Sequence, residues 1–484
     1  MLRRAALGCC ATALLAGPTT IAFFTGGFFQ AARLWAALAA WALVVIAALL
    51  SPTPLPRGWP GRLSLAGMAG LTGWVALSML WAPDHGAAFQ DAQRLLLYLG
   101  ALIASAAFLR GRGAWRAVEP VLIAGAVVVM VYGLSERLLP GLVELSRNTS
   151  AGGRLAQPIS YWNATGAVAA VALVLSVHVA GDGARSDRLR ALATAAAVPL
   201  GLALYLSFSR GALAAGVLGM LVLLALSPSW GQLRAAALAI EAGLVTALVA
   251  SRLDGVQSLS GGLGSRQAQG AAMLAVLGAT MLGSAALQKW ACGIERQGGV
   301  RMGTLPLPRG AAVLAVVFLM AAGAAVATAS VGERASAPTG ASSSRFSSVG
   351  SNRYAYWKIA VRTFAHHPLR GTGSGGFRVE WLRHRPFRES VKDAHSLYLE
   401  TGAELGIVGL LLLGTMLGGV ALAARRALRM NPGAAGLCAG LAVWAFHAGL
   451  DWDWEMPAVS LLAIVIAGAL IAQSEQPTAQ TRRT

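Results

Sequence analysis

The sequence predicts an all-α, polytopic transmembrane helical bundle of about 12–14 spans, and three observations predict it. Of 484 residues, 56% are hydrophobic and 12% are charged, about half the charged share of a soluble domain. The charges gather in short clusters between apolar runs of roughly 17 to 25 residues, the length that crosses a hydrocarbon core about 30 Å thick. One stretch, 332–394, interrupts that rhythm with eleven Lys or Arg and four acids, a net of +7. It reads as one large extracytoplasmic loop.

In chain order the apolar runs lie near 5–27, 34–50, 63–81, 95–109, 118–136, 161–180, 191–208, 211–227, 235–250, 270–288, 310–330, 396–424, 434–450 and 457–472. In the first run the apolar stretch follows Cys9 rather than preceding it, so it reads as a retained span and not a cleaved lipoprotein signal. The run at 396–424 is longer than one crossing needs, which predicts a tilt or an outward projection. Residues 1–331 thus form N-terminal spans, 332–394 the basic loop, and 395–484 C-terminal spans with a short tail. Within the loop, the start is rich in Ser, Gly and Ala. Asn352 to His367 then reads as an amphipathic helix, with Tyr354, Trp357, Val361 and Phe364 on one face and Lys358 and Arg362 opposite. Pro368 stops it, and a glycine-rich turn follows.

Orientation follows from arginine asymmetry. With the N-terminus inside, alternate loops and ends hold 20 basic residues, among them Arg110, Arg185, Arg188, Arg190 and Arg234, against eight in the other set once 332–394 is set aside. Both termini are therefore expected in the cytoplasm and the large loop outside. The formal charge of +19 is mostly loop arginine of this kind, so nucleic acid is not an expected partner; membrane lipids are. Lysine occurs three times among 39 basic residues, the codon bias of a GC-rich bacterial genome. Four cysteines, Cys9, Cys10, Cys292 and Cys438, form no CxxC pair and have no nearby His, so neither a disulfide framework nor a zinc site is indicated.

Few residues are placed to do chemistry. Arg210, in Ser207-Phe-Ser-Arg-Gly-Ala212, stands between two runs that otherwise lack charge. An arginine at that depth either snorkels to headgroups or meets an anion, and a diphosphate suits its bidentate fork. His395, in Asp393-Ala-His-Ser-Leu-Tyr-Leu-Glu400, titrates near neutrality and is able to take a proton from a hydroxyl. Arg353 opens the amphipathic helix beside Tyr354 and Trp357. Gly371-Thr-Gly-Ser-Gly-Gly376 matches GxGxxG, but a loop between spans leaves no βαβ unit. It reads as a turn whose amides are able to face a phosphate. His366 and His367 are adjacent, point apart on a helix and are read as structural. Asp451-Trp-Asp-Trp-Glu455 reads as interfacial tryptophans with acids that keep a short loop in water, a metal-holding DxD pair being the other account. Asp84 and Asp91 are further outside acids, and Glu241 lies inside a span with no nameable partner.

Three segments, in this order and spacing, resemble the O-antigen ligase and polymerase superfamily: Ser207–Ala212, Arg353–Phe377 and Asp393–Leu410. Arg154 to Gly166, with Asn163, is similar to a further segment of that family. The resemblance covers about 200–425, and the N-terminal third matches only as generic spans. It implies a GT-C-like membrane glycosyltransferase in the bacterial inner membrane with its active site facing outside. Its donor would be an undecaprenyl-pyrophosphate-linked glycan and its acceptor a hydroxyl of a glycan, lipid or protein, with no sugar nucleotide, no cofactor and no metal. By match to the family's motifs, Arg210 and Arg353 would bind the donor diphosphate and His395 would be the general base. Arg154, Asn163, Arg362 and Arg370 are assigned to substrate binding. A ligase, a polymerase and a protein-glycosylating enzyme share these motifs. A non-enzymatic transporter of lipid-linked glycans is the rival of another class, disfavoured because the polar residues gather at one face and no internal repeat is evident.

Overall fold

The computed structural model describes residues 2–146, 148–297, 340–342 and 351–476. The expected span at 310–330 lies outside the described residues, as do 332–339 and 343–350 of the large loop. Every other apolar run is a helix. In chain order these are α1 (Leu2–Ala22), α2 (Gln30–Leu50), α3 (Trp59–Ser78), α4 (His85–Phe108), α5 (Arg112–Leu138), α6 (Trp162–Gly181), α7 (Asp187–Leu206), α8 (Arg210–Leu226), α9 (Trp230–Ala250), the single-turn α10 (Asp254–Gln257) and α11 (Leu263–Gln297). The large loop contributes α12 (Arg353–His366) and α13 (Phe377–His384), followed by α14 (Leu397–Met430), α15 (Ala435–Ala448) and α16 (Pro457–Ser474). Among the described residues there is no β-strand, and nine helices are long and apolar enough to cross a membrane. The chain is an all-α, multi-pass membrane protein.

Helix is what hydrocarbon demands, because each backbone N–H and C=O must then be satisfied within its own segment. The helix starts are marked by side chains that accept from the first free N–H groups: Asp84 for α4, Ser186 for α7, Ser209 for α8, Ser229 for α9 and Ser396 for α14. α6 and α16 are the central helices, 94% buried along their apolar windows, which is where helices apolar on every face belong. α3 and α14 approach closely through small residues. A Cβ at Gly67 would lie 2.4 Å from the backbone nitrogen of Met416, and one at Gly419 would lie 2.4 Å from that of Ser64.

The bundle has two chemically different ends. At one end, Arg110 pairs with Glu475, Arg185 with Glu119, and both Arg190 and Arg234 with Glu295. These arginines all belong to the set that the sequence groups together as inside. The other end gathers the 82–84, 139–161, 207–209 and 449–456 connections and is roofed by α12 and α13.

The long run at 396–424 is resolved by a break rather than a tilt. Gly406 takes φ +66 inside α14, so a short segment from Leu397 stands apart from the crossing that follows. A Cβ at Gly406 would fall 2.3 Å from the Leu369 carbonyl oxygen; glycine is what lets the 368–370 backbone cross at the break. There Ile407 N donates to the Pro368 carbonyl at 2.8 Å. α12 also departs from expectation in its register. Its buried face runs through Tyr356, Ile359, Ala360 and Thr363, whereas Val361 is 53% exposed. The cause is its partner: α12 does not rest on a flat surface but packs with Phe377, Trp381, Val391 and Ala403 in a small core of its own.

Candidate active site

The site is assembled around Asp451, an acid from the short connection before α16. Its side chain is fully buried and accepts from Arg353 Nη2 at 2.5 Å and from the Tyr161 hydroxyl at 2.7 Å. Asn163 Nδ2 in turn donates to the Tyr161 oxygen at 2.7 Å, and the Trp452 amide donates to Asp451 at 2.9 Å. Burial disfavours charge on both members of the ion pair. For Arg353 the Asp451 carboxylate and the Tyr161 hydroxyl outweigh that penalty and hold its pKa above the ordinary value. For Asp451, Arg353, His395, His447 and the Tyr161 hydroxyl together outweigh it, and the acid is held below the usual carboxylate range. Both are therefore ionised at neutral pH. Asn163 joins the cluster through Tyr161 as a hydrogen-bond donor.

Arg210 is the first residue of α8, and its guanidinium is close enough to Arg353 to feel that like charge, with Tyr354 nearby. His395 also lies within electrostatic reach of Arg353. Its charge interacts with Asp451 and Arg353, its ring is 5.3 Å from that of Tyr356, and it is 6.1 Å from that of Trp452. The Asp393 carbonyl oxygen is 3.0 Å from His395 Nδ1. A proton on Nδ1 satisfies that carbonyl and leaves Nε2 as the acceptor. Burial lowers the imidazole pKa below its ordinary value, and Arg353 adds to this against the pull of Asp451. His395 is thus neutral at pH 7, the state a proton acceptor needs.

Arg154 is buried beside the same cluster. Its guanidinium carbon is 3.5 Å from the centre of the Trp162 ring, which packs against Tyr161 at 4.9 Å. Arg362 and Arg370 are placed differently. Nine positions along α12 put Arg362 opposite Arg353, where it is exposed. Arg370 is exposed on the turn after α12, with its guanidinium 5.4 Å from the Trp81 ring. Neither is drawn into the Asp451 cluster. Three non-glycine residues adjoining the site hold positive φ: Ser160 at 69°, Phe208 at 50° and His395 itself at 55°. Such backbone is costly, by about 1–3 kcal/mol each, and is retained where the surroundings impose it.

The glycine turn binds a carboxylate of the chain itself. Gly375 N and Phe377 N each donate to Glu404 at 3.0 Å. Of the amides expected to face a phosphate, that of Gly375 is taken by this side chain, and those of Thr372, Gly373 and Ser374 donate to the Ala403 and Glu404 carbonyls and the Ser78 hydroxyl. The reading of Asp451-Trp-Asp-Trp-Glu455 as a solvated loop is also overturned. All three acids are buried, each against a different basic side chain: Asp451 on Arg353, Asp453 on His447 at 2.6 Å, and Glu455 on Arg94 at 3.2 Å. The tryptophans between them supply the apolar surroundings that make such pairing necessary. Arg94 also pairs with Asp91 at 2.8 Å, at the edge of a cavity of about 30 Å³ that Glu400, Glu404 and Glu455 help to line. Carboxylate oxygens of Asp393, Glu400 and Glu455 lie within 4.8 Å of one another there. Burial pushes the Asp393 carboxyl up to about 6 despite Arg94.

Residues 262–414, about a third of the chain, match the family model described as O-antigen ligase. The match places that domain in this chain and supports its membership of the O-antigen ligase superfamily, a membrane glycosyltransferase and ligase type. The matched segment contains Arg353 and His395, whereas Arg154, Asn163, Arg210 and Asp451 lie outside it. No curated protein matches the chain.

Proposed function

We propose that this member of the O-antigen ligase superfamily transfers a glycan from an undecaprenyl-pyrophosphate carrier to an acceptor hydroxyl at the outer face of the bacterial inner membrane. The observation that carries the reading is that Arg353, from α12, and His395, from the entry to α14, meet at Asp451, with Arg210, from α8, within electrostatic reach of Arg353. In the step proposed, the bond between the anomeric carbon and the diphosphate oxygen breaks and its electron pair leaves with the diphosphate. The acceptor oxygen forms the new bond from the opposite face, inverting that carbon, and its proton passes to His395 Nε2. Charge grows on the departing diphosphate as this proceeds. Two guanidiniums already fixed in a poorly hydrated site stabilise that charge more than they stabilise the ground state. Tyr161 and Asn163 keep Asp451 in place behind Arg353, so the cation is oriented before the donor arrives.

The neutralisation assigned to the arginines requires no divalent ion. Asp451 and Asp453 are engaged by Arg353 and His447, so a cation, if one took part, would fall to Asp393, Glu400 and Glu455. Reconstitution with a lipid-pyrophosphate glycan and candidate acceptors, followed by product mass, tests the reading directly. Arg210→Ala, Arg353→Ala and His395→Ala are each expected to abolish transfer in protein that still inserts and elutes as one species, and EDTA is expected to leave wild-type transfer intact. Full activity in all three variants removes the site. Complete loss with EDTA that Mg²⁺ restores replaces the arginine account with a metal one. The same experiment separates ligase from polymerase, since the donor side is common to both and the acceptor consumed is not.

A further inference from the structure

Two guanidiniums brought into one site repel each other, so the elements carrying them must be fixed from behind. Arg353 is fixed by Asp451. Beside the backbone that follows Arg210 lies His447, the partner of the next acid of the same connection. Asp453 Oδ2 is 2.6 Å from His447 Nδ1, and both side chains are wholly buried. The opposite edge of that imidazole rests on α8: a Cβ at Gly211 would lie 3.3 Å from His447 Nε2 and 3.4 Å from Cδ2. Nε2 has no hydrogen-bond partner among the described residues, so its contact with α8 is one of shape. Further along the same pair of helices, a Cβ at Gly219 would lie 2.2 Å from Val443 Cγ2. α8 therefore lies on α15 through glycines, and His447 is the stop at the end that carries Arg210.

We propose that His447, oriented by Asp453, is a positioning residue that sets the first turn of α8, and with it Arg210, against the donor diphosphate. The inference rests on the function proposed above and adds to it a single structural device. Asp451 and Asp453, two residues apart, set the two arginines separately, one by an ion pair and one through a histidine and a glycine.

The test is a size exchange in the reconstituted full-length enzyme, read as separate kcat and KM for a lipid-pyrophosphate donor. His447→Asn retains an N–H for Asp453 but loses the ring edge that meets Gly211. It is expected to raise donor KM about tenfold, with kcat and acceptor KM changed less than about threefold. Gly211→Ala, which crowds the ring, is expected to raise donor KM as well. The double variant His447→Asn/Gly211→Ala refills the space and is expected to return most of the way to wild type, the non-additivity of residues in contact. If His447→Asn keeps wild-type donor KM, or the two effects simply add, His447 is packing alone and the inference is wrong. Arg210→Ala is measured alongside. Should it retain full transfer, the proposed function fails whatever His447 does; should it be inactive while His447→Asn is normal, only this inference fails. A melting temperature on each purified variant identifies misfolding, and the double variant carries the test if either single one is unstable.

Discussion

At the scale of single residues, the consequence most open to measurement is the state of His395. Burial lowers its pKa beneath the ordinary 6.5 of histidine, so the free base persists into mildly acid solution. A general base works only when unprotonated, which fixes the sign: kcat/KM for the donor should rise with pH, reach half its maximum below 6.5 and be flat through neutrality. A half-maximum above 7 would contradict a neutral His395. Asp451→Asn is the complementary change. It removes the negative charge and one of the two oxygens that accept from Arg353 and the Tyr161 hydroxyl, and breaking such a buried ion pair costs about 3–5 kcal/mol. The melting temperature should fall clearly, and transfer should drop at least about tenfold even where the protein is folded. Unchanged melting and transfer would mean that Asp451 orients nothing. Arg210, Arg353 and His395 were legible in the sequence because each stands out in an ordered motif. Asp451 was not, because an acid in an eight-residue connection has no periodicity to read and its partner is 98 positions away. The available signal was the alternation itself, three acids interleaved with tryptophans between apolar spans, where bulky rings are able to bury the acids.

At the scale of elements, the thirteen described apolar runs are helices because hydrocarbon leaves a continuous segment no other way to satisfy its backbone. Length was the less legible property. The surplus in 396–424 was visible as a number of residues but not as a break, since the sequence pattern continues through Gly406 and only the crossing backbone at 368–370 explains the glycine. The face of α12 was misread for a related reason: Tyr354, Trp357 and Val361 are the apolar choices for a flat surface, while the actual partners are Trp381 and Phe377 on a neighbouring helix. The break makes a specific prediction. Gly406→Ala places a methyl 2.3 Å from a carbonyl oxygen in a left-handed conformation, whereas a Cβ at Gly414 in the same helix meets nothing within 4 Å. Alanine at 406 should destabilise by more than about 1 kcal/mol and loosen the 368–376 turn. Alanine at 414 should be tolerated. Equal melting temperatures for the two variants would show that the break is not a constraint.

At the scale of the whole molecule, the function proposed depends on which end of the bundle faces outward. Arginines grouped as inside by the sequence do gather at one end, paired with Glu119, Glu295 and Glu475, and the candidate site lies at the other. On the positive-inside bias the site end is expected at the outer face, where the proposed lipid-linked donor and extracytoplasmic acceptor would meet. In protein with Cys9, Cys10, Cys292 and Cys438 replaced, single cysteines at Lys358 and Arg188, both exposed and at opposite ends, distinguish the orientations. Lys358→Cys should react with an impermeant thiol reagent in intact spheroplasts, and Arg188→Cys only after the membrane is opened. The reverse pattern would place the arginines, the histidine and their shared acid on the cytoplasmic surface. A donor carrying its glycan outside would then be separated from the site by the full thickness of the bilayer, and the same cluster would have to serve a different, cytoplasm-facing substrate.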